Sequence, residues 1–577
     1  MAGLVSRMGK LNPFTDNSAI DAEDKGDAID AGTVAGGGHA SQQSRVTKND
    51  LRVSQAIRRF LAKEGVLLES EAGLDDEQAT QALRELLDKS HIVVPPEITA
   101  RNHPLPEYFI SSSHNTYLMA HQLFGESHAS AYELALRTGS RCVEIDAWDN
   151  DSDKEEPKVT HGYTLVSNIP FRQVCETIRD VVDGEAADEN NPAPILISLE
   201  NHCDAHGQLR LSQIMREVLG HWLLSKAVRE KGMREQEAPG QHEHVTLAEL
   251  GNKVAVIVEY HLPNEEESSD SDSSSDEEEG ERQARQQYAE KKKATNAGII
   301  IPELAELGVY AQSVKPVNNS WFEADLENAP HHQLINVSES GLRAHLPAHG
   351  AKIARHNAHH LMRVYPKGTR ISSKNLLPVP FWGIGAQICA LNWQTFGASS
   401  QINEALFAGS SGYVLKPAAL RAGGDGNLNV GGRKQLRLHI AGATDVPLPQ
   451  DRDDDGIKPY VTCTLVHAND MNNMPPKRKT ATYKPHKLTK FTGRDDSPST
   501  DPIWKEVLEW EYDDNALVFL RLLIKSDDSF ARNPIFAVAA VRLMYVTPGW
   551  SFIRMLDLSG HETTCTLLVR FEFVHVR

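Results

Sequence analysis

Between Leu105 and Tyr260 the chain alternates short apolar runs with longer amphipathic ones, and that rhythm restricts the fold more than any other feature. The runs EYFISSS, RCVEIDAW, APILISLE and KVAVIVEY read as strands, and SAYELALRTG and FRQVCETIRDVVDG fall between them with helical spacing. Strand and helix in alternation favour a parallel sheet with helical crossovers. The pattern resumes in GVYAQSV, LMRVYP and AQICALNWQ. Eight such strands would close into a barrel, although periodicity alone also admits an open sheet.

The rhythm is interrupted once. Residues 263–295 form an acidic linker, and Glu265 to Glu281 holds ten acids and no base, more than half of the chain's net charge of -19. Such a tract repels itself and cannot pack, so an exposed insertion is expected, with serines placed to accept phosphate. Residues 1–45 are rich in Gly, Ala, Ser and Asp and lack a core-building period, which reads as disorder. Over 46–100, Val53, Ile57, Phe60 and Leu61 recur at helical spacing, and Ala79, Leu83 and Leu86 suggest a second helix after Asp75 and Asp76. No calcium loop lies between them. A Gly/Asn linker at 422–432 precedes a last segment, 433–577, whose runs QLRLHIAGA, YVTCTLV, TATYKP, EVLEWEY, LVFLRLLIK, AVAAVRLMYV and TCTLLVRFEFV predict an antiparallel sandwich.

Composition narrows the function. The acidic balance argues against a general nucleic-acid binder, which needs a basic footprint. Six cysteines without a CxxC pair suggest reduced thiols in an intracellular protein. No signal sequence and no run of about 18 apolar residues is present, so membrane contact is expected to be peripheral.

Polar groups end four strand-like runs. His114 and Asn115 follow the first, Glu144 and Asp146 lie in the second, His161 follows EPKVT, and Glu200 closes ILISLE. A carboxylate in a buried strand is costly unless paired or coordinated, and residues two apart share one face. Converging at the carboxyl ends of barrel strands, Asn115, Glu144, Asp146 and Glu200 offer hard oxygen ligands for calcium or magnesium, while two histidines beside them suit acid-base work on a phosphate. Other chemistries fit less well. GSSGY lacks the serine-hydrolase spacing, HNAHH at His356 to His360 lacks a cysteine partner for zinc, and no P-loop occurs.

Seven blocks then carry a resemblance: HPLPEYFISSSHNTYL, GSRCVEIDAWD, HGYTLVSNIPF, ILISLENHC, LMRVYPKGTRISSKN, FWGIGAQICALNWQT and GYVLKPAALR. In this order they resemble eukaryotic phosphoinositide-specific phospholipase C, over roughly Leu105 to Arg421 and more weakly beyond. The resemblance implies a multidomain α/β protein with a split (β/α)8 barrel made of an X half (101–262) and a Y half (296–421). An EF-hand-like helical region would precede the barrel and an all-β C2 sandwich would follow it. The compact arrangement, without a pleckstrin-homology domain, is similar to plant and fungal members. It implies that His114 stabilises a pentavalent phosphorane and that His161 protonates the diacylglycerol oxygen. Asn115, Glu144, Asp146 and Glu200 would bind calcium, with Glu144 or Asp146 also a base. Arg363 and Tyr365 would hold the head group.

The same resemblance exposes departures. Ile257 and Glu259 stand where the family offers two lysines, and Asn336 where a phosphate-binding serine is common. An alignment slip, or replacement by Lys253 or a base from a loop, is the alternative explanation. Thr369 replaces a membrane-facing tryptophan, leaving Leu118, Leu123, Phe381 and Trp382 as candidate apolar contacts. Lys458, Ser526 and Asp528 align with the calcium positions of the C2 sandwich and Pro534 lies near a further one, too few acids for a tight site, so that domain is expected to brace the barrel or to approach lipid without calcium. Expected partners are calcium and an anionic phosphoinositide membrane, approached reversibly from the cytoplasm, with the acidic linker restraining access. A catalytically weak or inactive phosphoinositide-binding scaffold is the alternative.

Overall fold

A computed structural model describes residues 46, 50–74, 78–119, 126–160, 167–187, 193–228, 245–260, 300–314, 321–323, 333–366, 375–429, 431–448, 457–470, 475–485, 497–527 and 535–576. The segments 1–45 and 263–295 lie outside them, as do Asp75, Asp76, Leu123, His161, Thr369, Asp528, Pro534 and the side chain of Glu259.

Eight parallel strands form the central ring. They are β1 (Tyr108–Ile110), β2 (Cys142–Trp148), β3 (Ile195–His202), β4 (Val254–Tyr260), β5 (Gln312–Val314), β6 (Gln333–Ser338), β7 (Leu361–Tyr365) and β8 (Ile388–Cys389). Each pairs with the next from β2 to β8, and β8 pairs with β1. A parallel bridge between Ser112 and Cys142 joins β1 to β2 and closes the ring. The strand β6 has no counterpart among the runs read from sequence, because HHQLINVSES carries only three aliphatic positions amid polar ones.

Period-two alternation sorts the barrel's side chains. Val143, Ile145, Ile197, Leu199, Val256 and Val258 point outward into the helical layer. Ile110, Cys142, Leu196, Ala255, Ile257, Leu334, Leu361 and Ile388 fill the interior. The crossover helices are α3 (Ser130–Arg137), α4 (Phe171–Ala187) and α5 (Ala205–Leu219) in the first half, and α6 (Leu346–Asn357) and α7 (Ala398–Phe407) in the second. Helix α4 buries Phe171, Val174, Cys175, Ile178, Val181 and Val182, an i, i+3, i+4, i+7 stripe. Asp204 caps α5 by accepting from the Gly207 amide.

The C-terminal unit is one eight-stranded antiparallel sheet folded on itself. Its strands are β9 (Arg433–Thr444), β10 (Pro459–His467), β11 (Lys477–Lys479), β12 (Ile503–Asp513), β13 (Val518–Ser526), β14 (Ile535–Arg542), β15 (Gly549–Leu556) and β16 (Glu562–His575), in the order β11-β10-β13-β14-β15-β16-β9-β12. The expected strand TATYKP is instead the preceding KRK, an edge strand whose lysines discourage pairing with other chains. Strand β15 was not legible either.

The two longer helices described before the barrel are α1 (Gln55–Lys63), capped by Ser54, and α2 (Gln81–Asp88), capped by Thr80. Val53, Ile57, Phe60, Leu61 and Leu83 pack on Ala441, Phe552 and Leu568 of the sandwich, not on the barrel. The sandwich in turn meets the barrel. Trp382 and Phe381 lie in a core shared with Val466, Leu517, Phe519 and Tyr545, and Trp382 meets Phe407 edge to face at 6.3 Å and tilts against Phe519 at 5.9 Å. Phe381, Trp382 and Leu118 are all under 4 % exposed, so none is a membrane contact; the FW pair joins two domains instead. Arg521 of β13 also donates to Gln401 of α7 at 2.6 Å. All six cysteines are buried and unpaired, and among the described residues no helix is long and apolar enough to cross a membrane.

Candidate active site

One layer above its apolar floor, at the carboxyl ends of the strands, the barrel interior turns polar. Glu144, Ser198, Glu200, Ser313, Asn336 and Arg363 line a pocket of ≈ 260 Å³, open mouth included, with Leu199, Ile257 and Leu334. Strand register puts Glu144 beside Ser198, Ser198 beside Ile257, Asp146 beside Glu200, and Asn336 beside Arg363. The pocket draws on both halves of the chain.

Glu144, Asp146 and Glu200 offer carboxylate oxygens that lie within 4.8 Å of one another. Glu144 and Asp146 are 3 % and 5 % exposed, whereas the Glu200 side chain keeps 40 % at the mouth. Burial, reinforced by Glu200 and Glu144, drives the Asp146 carboxyl well above the ordinary range despite the Tyr117 hydroxyl and the Arg363 charge. Burial opposes ionisation of Glu200 too, but a contact with His202 at 3.5 Å, with the charges of His202, Arg363 and His114, brings it down to about 2. His202 is itself stacked on Trp148, ring centroids 4.0 Å apart.

This donor set fits a hard divalent cation. Asp146 Oδ1 is buried without a hydrogen-bond partner, while its Oδ2 accepts from the Tyr117 hydroxyl at 2.6 Å. An oxygen left this way inside a cluster of acids is where a cation belongs. Asn115 stands beside the trio, its Oδ1 accepting from the same Tyr117 hydroxyl at 3.2 Å. Its backbone is left-handed (φ 46), a conformation asparagine tolerates better than most residues, and its amide donates to Glu144 Oε2 at 2.7 Å.

Arg363 reaches in from β7. Its Nη2 meets Glu144 Oε1 at 2.5 Å and its Nη1 donates to Asn336 Oδ1 at 3.2 Å. The guanidinium sits 5.9 Å from the Tyr365 ring centroid. The pocket's one cation among the described residues is therefore already engaged by an acid. Lys253 supplies no second one, because it precedes β4 at the opposite end of the barrel and donates to the His221 carbonyl at 2.7 Å. Ile257 does line the pocket and interrupts the polar layer.

His114 sits at the rim, its Nδ1 2.8 Å from Asn392 Oδ1 and its Nε2 4.0 Å from Glu144 Oε2. Burial lowers its pKa, partly offset by Glu144. Of the residues singled out from sequence, His114, Asn115, Glu144, Asp146, Glu200, Asn336, Arg363, Tyr365 and Ile257 are thus gathered around one cavity. His161 and the Glu259 side chain lie outside the described residues. Sequence reasoning missed Tyr117, Ser198, Ser313, His202 and Asn392. Tyr117 stands two residues after Asn115 and Ser198 two before Glu200, so alternation could have found Ser198; Asn392 is distant in sequence and gave no signal.

In the sandwich, the Lys458 amide donates to Ser526 Oγ at 3.0 Å, a contact between two of the residues that the resemblance aligns with calcium positions. Among the described residues the barrel trio is the one acidic cluster with metal-binding spacing.

The family model "Phosphatidylinositol-specific phospholipase C, X domain" matches residues 101–260, and the corresponding Y-domain model matches 304–419. The chain is 30 % identical over 557 residues to a 1-phosphatidylinositol 4,5-bisphosphate phosphodiesterase 1 of Candida albicans, covering 85 % of this chain and 50 % of that one. A 1-phosphatidylinositol 4,5-bisphosphate phosphodiesterase of Dictyostelium discoideum is 30 % identical over 506 residues, covering 82 % and 59 %. The delta-1 phosphodiesterase of Rattus norvegicus is 29 % identical over 482 residues, covering 81 % and 60 %. The chain thus spans half to three fifths of these relatives' length. In fold it is similar to the crystal structure of L. pealei PLC21, with a TM-score of 0.66 at 24 % identity, covering 84 % of this chain and 58 % of that one.

Proposed function

Because the chain belongs to the phosphatidylinositol-specific phospholipase C family, whose X and Y domains it carries, we propose that it is a calcium-dependent phosphodiesterase releasing diacylglycerol and inositol phosphate from membrane phosphoinositides. The observation that carries this reading is the Glu144, Asp146 and Glu200 trio with its unpartnered Asp146 oxygen, with Arg363 paired to Glu144 and His114 beside it at the rim of the pocket. Glu144, Asp146, Glu200 and Asn115 would hold the ion, which when bound supplies positive charge against the phosphoryl oxygens and acidifies the inositol 2-hydroxyl.

The remaining chemistry falls to side chains. The 2-hydroxyl oxygen attacks phosphorus, the bond to the glycerol oxygen breaks, and a 1,2-cyclic phosphodiester forms that water then opens. Glu144 or Asp146 accepts the hydroxyl proton. His161 gives a proton to the departing diacylglycerol oxygen, which would otherwise leave as an alkoxide. His114 stabilises the pentavalent phosphorus, Arg363 supports Glu144 and ring oxygens, and Tyr365 lies under the ring. Among the described residues Arg363 is the pocket's one cation and Glu144 already engages it, which supports a preference for less phosphorylated inositides, since phosphate recognition rests on charge-assisted contacts.

The test uses mixed vesicles containing phosphatidylinositol, its 4-phosphate and its 4,5-bisphosphate. Water-soluble inositol phosphate should appear with calcium, and His161→Ala should slow its release by roughly 10²–10⁴-fold, the usual share of general acid catalysis. No release from any of the three lipids, where a control enzyme is active, would replace this reading by a binding scaffold.

A further inference from the structure

The rim of the pocket is built from two short strands that meet only through the fold. Ser113–His114, from the first half of the barrel, pairs in parallel with Leu391–Asn392, from the second, and His114 lies directly opposite Asn392. Asn392 is 1 % exposed, a cost that only satisfied polar contacts offset. Its side-chain Oδ1 lies 2.8 Å from His114 Nδ1. Its backbone is gripped from both sides by one residue: the Asn392 amide donates to Asn375 Oδ1 at 2.6 Å, and Asn375 Nδ2 donates to the Asn392 carbonyl at 2.9 Å. The Trp393 indole fixes the next position by donating to the Ser112 carbonyl at 3.0 Å.

We propose that Asn392, clamped by Asn375, is a positioning residue that holds the His114 ring with Nδ1 turned away and Nε2 turned toward the reacting phosphate. An imidazole can rotate about two side-chain bonds, and a hydrogen bond to one ring nitrogen decides what the other faces. With Nδ1 occupied, Nε2 is the nitrogen left toward Glu144, 4.0 Å away. The two residues between β1 and this short strand bond elsewhere, Ser112 Oγ to the Ile110 carbonyl and Ser111 Oγ as acceptor from Asn403. The second half of the barrel therefore orients a reacting group of the first, and neither half carries a complete site.

The inference rests on the phosphodiesterase reading, and the experiment separates the two. Turnover on phosphatidylinositol vesicles at saturating calcium is measured for wild type, Asn392→Leu, Asn392→Asp, His114→Ala and the double variant His114→Ala with Asn392→Leu. Leucine keeps the branched shape and removes the acceptor; aspartate keeps an acceptor. Asn392→Leu should lower kcat about 100-fold, within the range that correctly placed acid-base groups contribute, with KM changed less than about threefold. Asn392→Asp should recover at least about a tenth of wild-type kcat. In the His114→Ala background, Asn392→Leu should cost less than about twofold more, because residues that act as a unit are not additive. Should Asn392→Leu not fold, Asn375→Ala in both backgrounds carries the same comparison with a smaller first loss. An active wild type indifferent to Asn392→Leu, or an equal loss with and without His114, would overturn the inference alone. A wild type that hydrolyses none of the lipids would overturn the phosphodiesterase reading and the inference with it.

Discussion

Ile257 is the pocket residue whose chemistry departs furthest from its neighbours. It is an aliphatic side chain in a layer otherwise made of Glu144, Ser198, Ser313, Asn336 and Arg363. A ring phosphate approaching it would lose hydration and gain no charged partner there. The variant Ile257→Lys with Glu259→Lys should therefore raise the ratio of bisphosphate to phosphatidylinositol turnover about tenfold or more, since hydrogen bonds to charged groups contribute about 1.5–3 kcal/mol each. An unchanged ratio would show that neither position reaches the ring. Asp146 supplies a second residue-level test. Its folded-state pKa is raised, so in the metal-free protein its ionisation works against the fold: the penalty is absent below the unfolded value of about 3.9 and grows as pH climbs through the folded one. Glu200, lowered to about 2, stays ionised across that window. Calcium relieves the penalty, so the calcium-induced rise in melting temperature should be larger at pH 7.5 than at pH 5.5. Calorimetry at the two values decides it, and a larger rise at pH 5.5 would contradict the assignment of Asp146 as a ligand. Ile257 stood out only through the family resemblance, whereas Asp146 and Glu200 were legible because each puts a polar group in or at the end of a strand-like run. Tyr117 and Asn392 were not, because their partners, Asp146 and His114, are set by folding and not by spacing.

Among elements, the strands read best where both faces are buried. RCVEIDAW, APILISLE and KVAVIVEY became β2, β3 and β4 because apolar side chains serve the floor of the barrel on one face and the helices on the other. Strand β6 escaped notice because its inward positions are given to the pocket, and β11 because it is an exposed edge of three bases. The FW pair misled for a related reason: an apolar pair after a strand fits a membrane ridge and a domain junction equally in sequence, and only the packing of Trp382 on Phe519 separates them. The junction between α1 and the sandwich carries its own prediction. Just before α1, Arg52 Nη2 lies 2.8 Å from Asp501 Oδ1 and 2.5 Å from Asp445 Oδ1, and the Asp501 side chain is nearly buried. Arg52→Met leaves that acid without its partner. Half of the Arg52 side chain is exposed, so solvent screening holds the expected loss to about 1–2 kcal/mol. Hydrogen exchange should show α1 losing protection while the barrel strands keep theirs. Unchanged exchange in α1 would mean that Ile57, Phe60 and Leu61 hold the module unaided.

At the scale of the whole molecule, the two halves of the barrel meet at Glu144 with Arg363 and at His114 with Asn392, so the tract between them need only be long enough to connect. Its ten acids from Glu265 to Glu281 should be repelled by an anionic bilayer and keep the barrel mouth from lipid. Removing Glu265 to Glu281 should accelerate turnover on anionic vesicles far more than on a soluble cyclic inositol phosphate, and high salt should narrow the difference. Equal acceleration on both substrates would point to a plug in the pocket, and none on either would leave the tract a plain connection. The most direct test of the account is the calcium dependence of vesicle hydrolysis by wild type and Glu200→Gln. Glu200 is the trio's most exposed member, so this substitution disturbs the barrel least. We expect wild-type turnover to be abolished by chelator and to saturate with calcium, and Glu200→Gln to need at least about tenfold more calcium for half its maximal rate, one charged ligand having been lost. Hydrolysis that persists in chelator, or two superimposable calcium curves, would contradict the assignment of this trio as the metal centre of the enzyme.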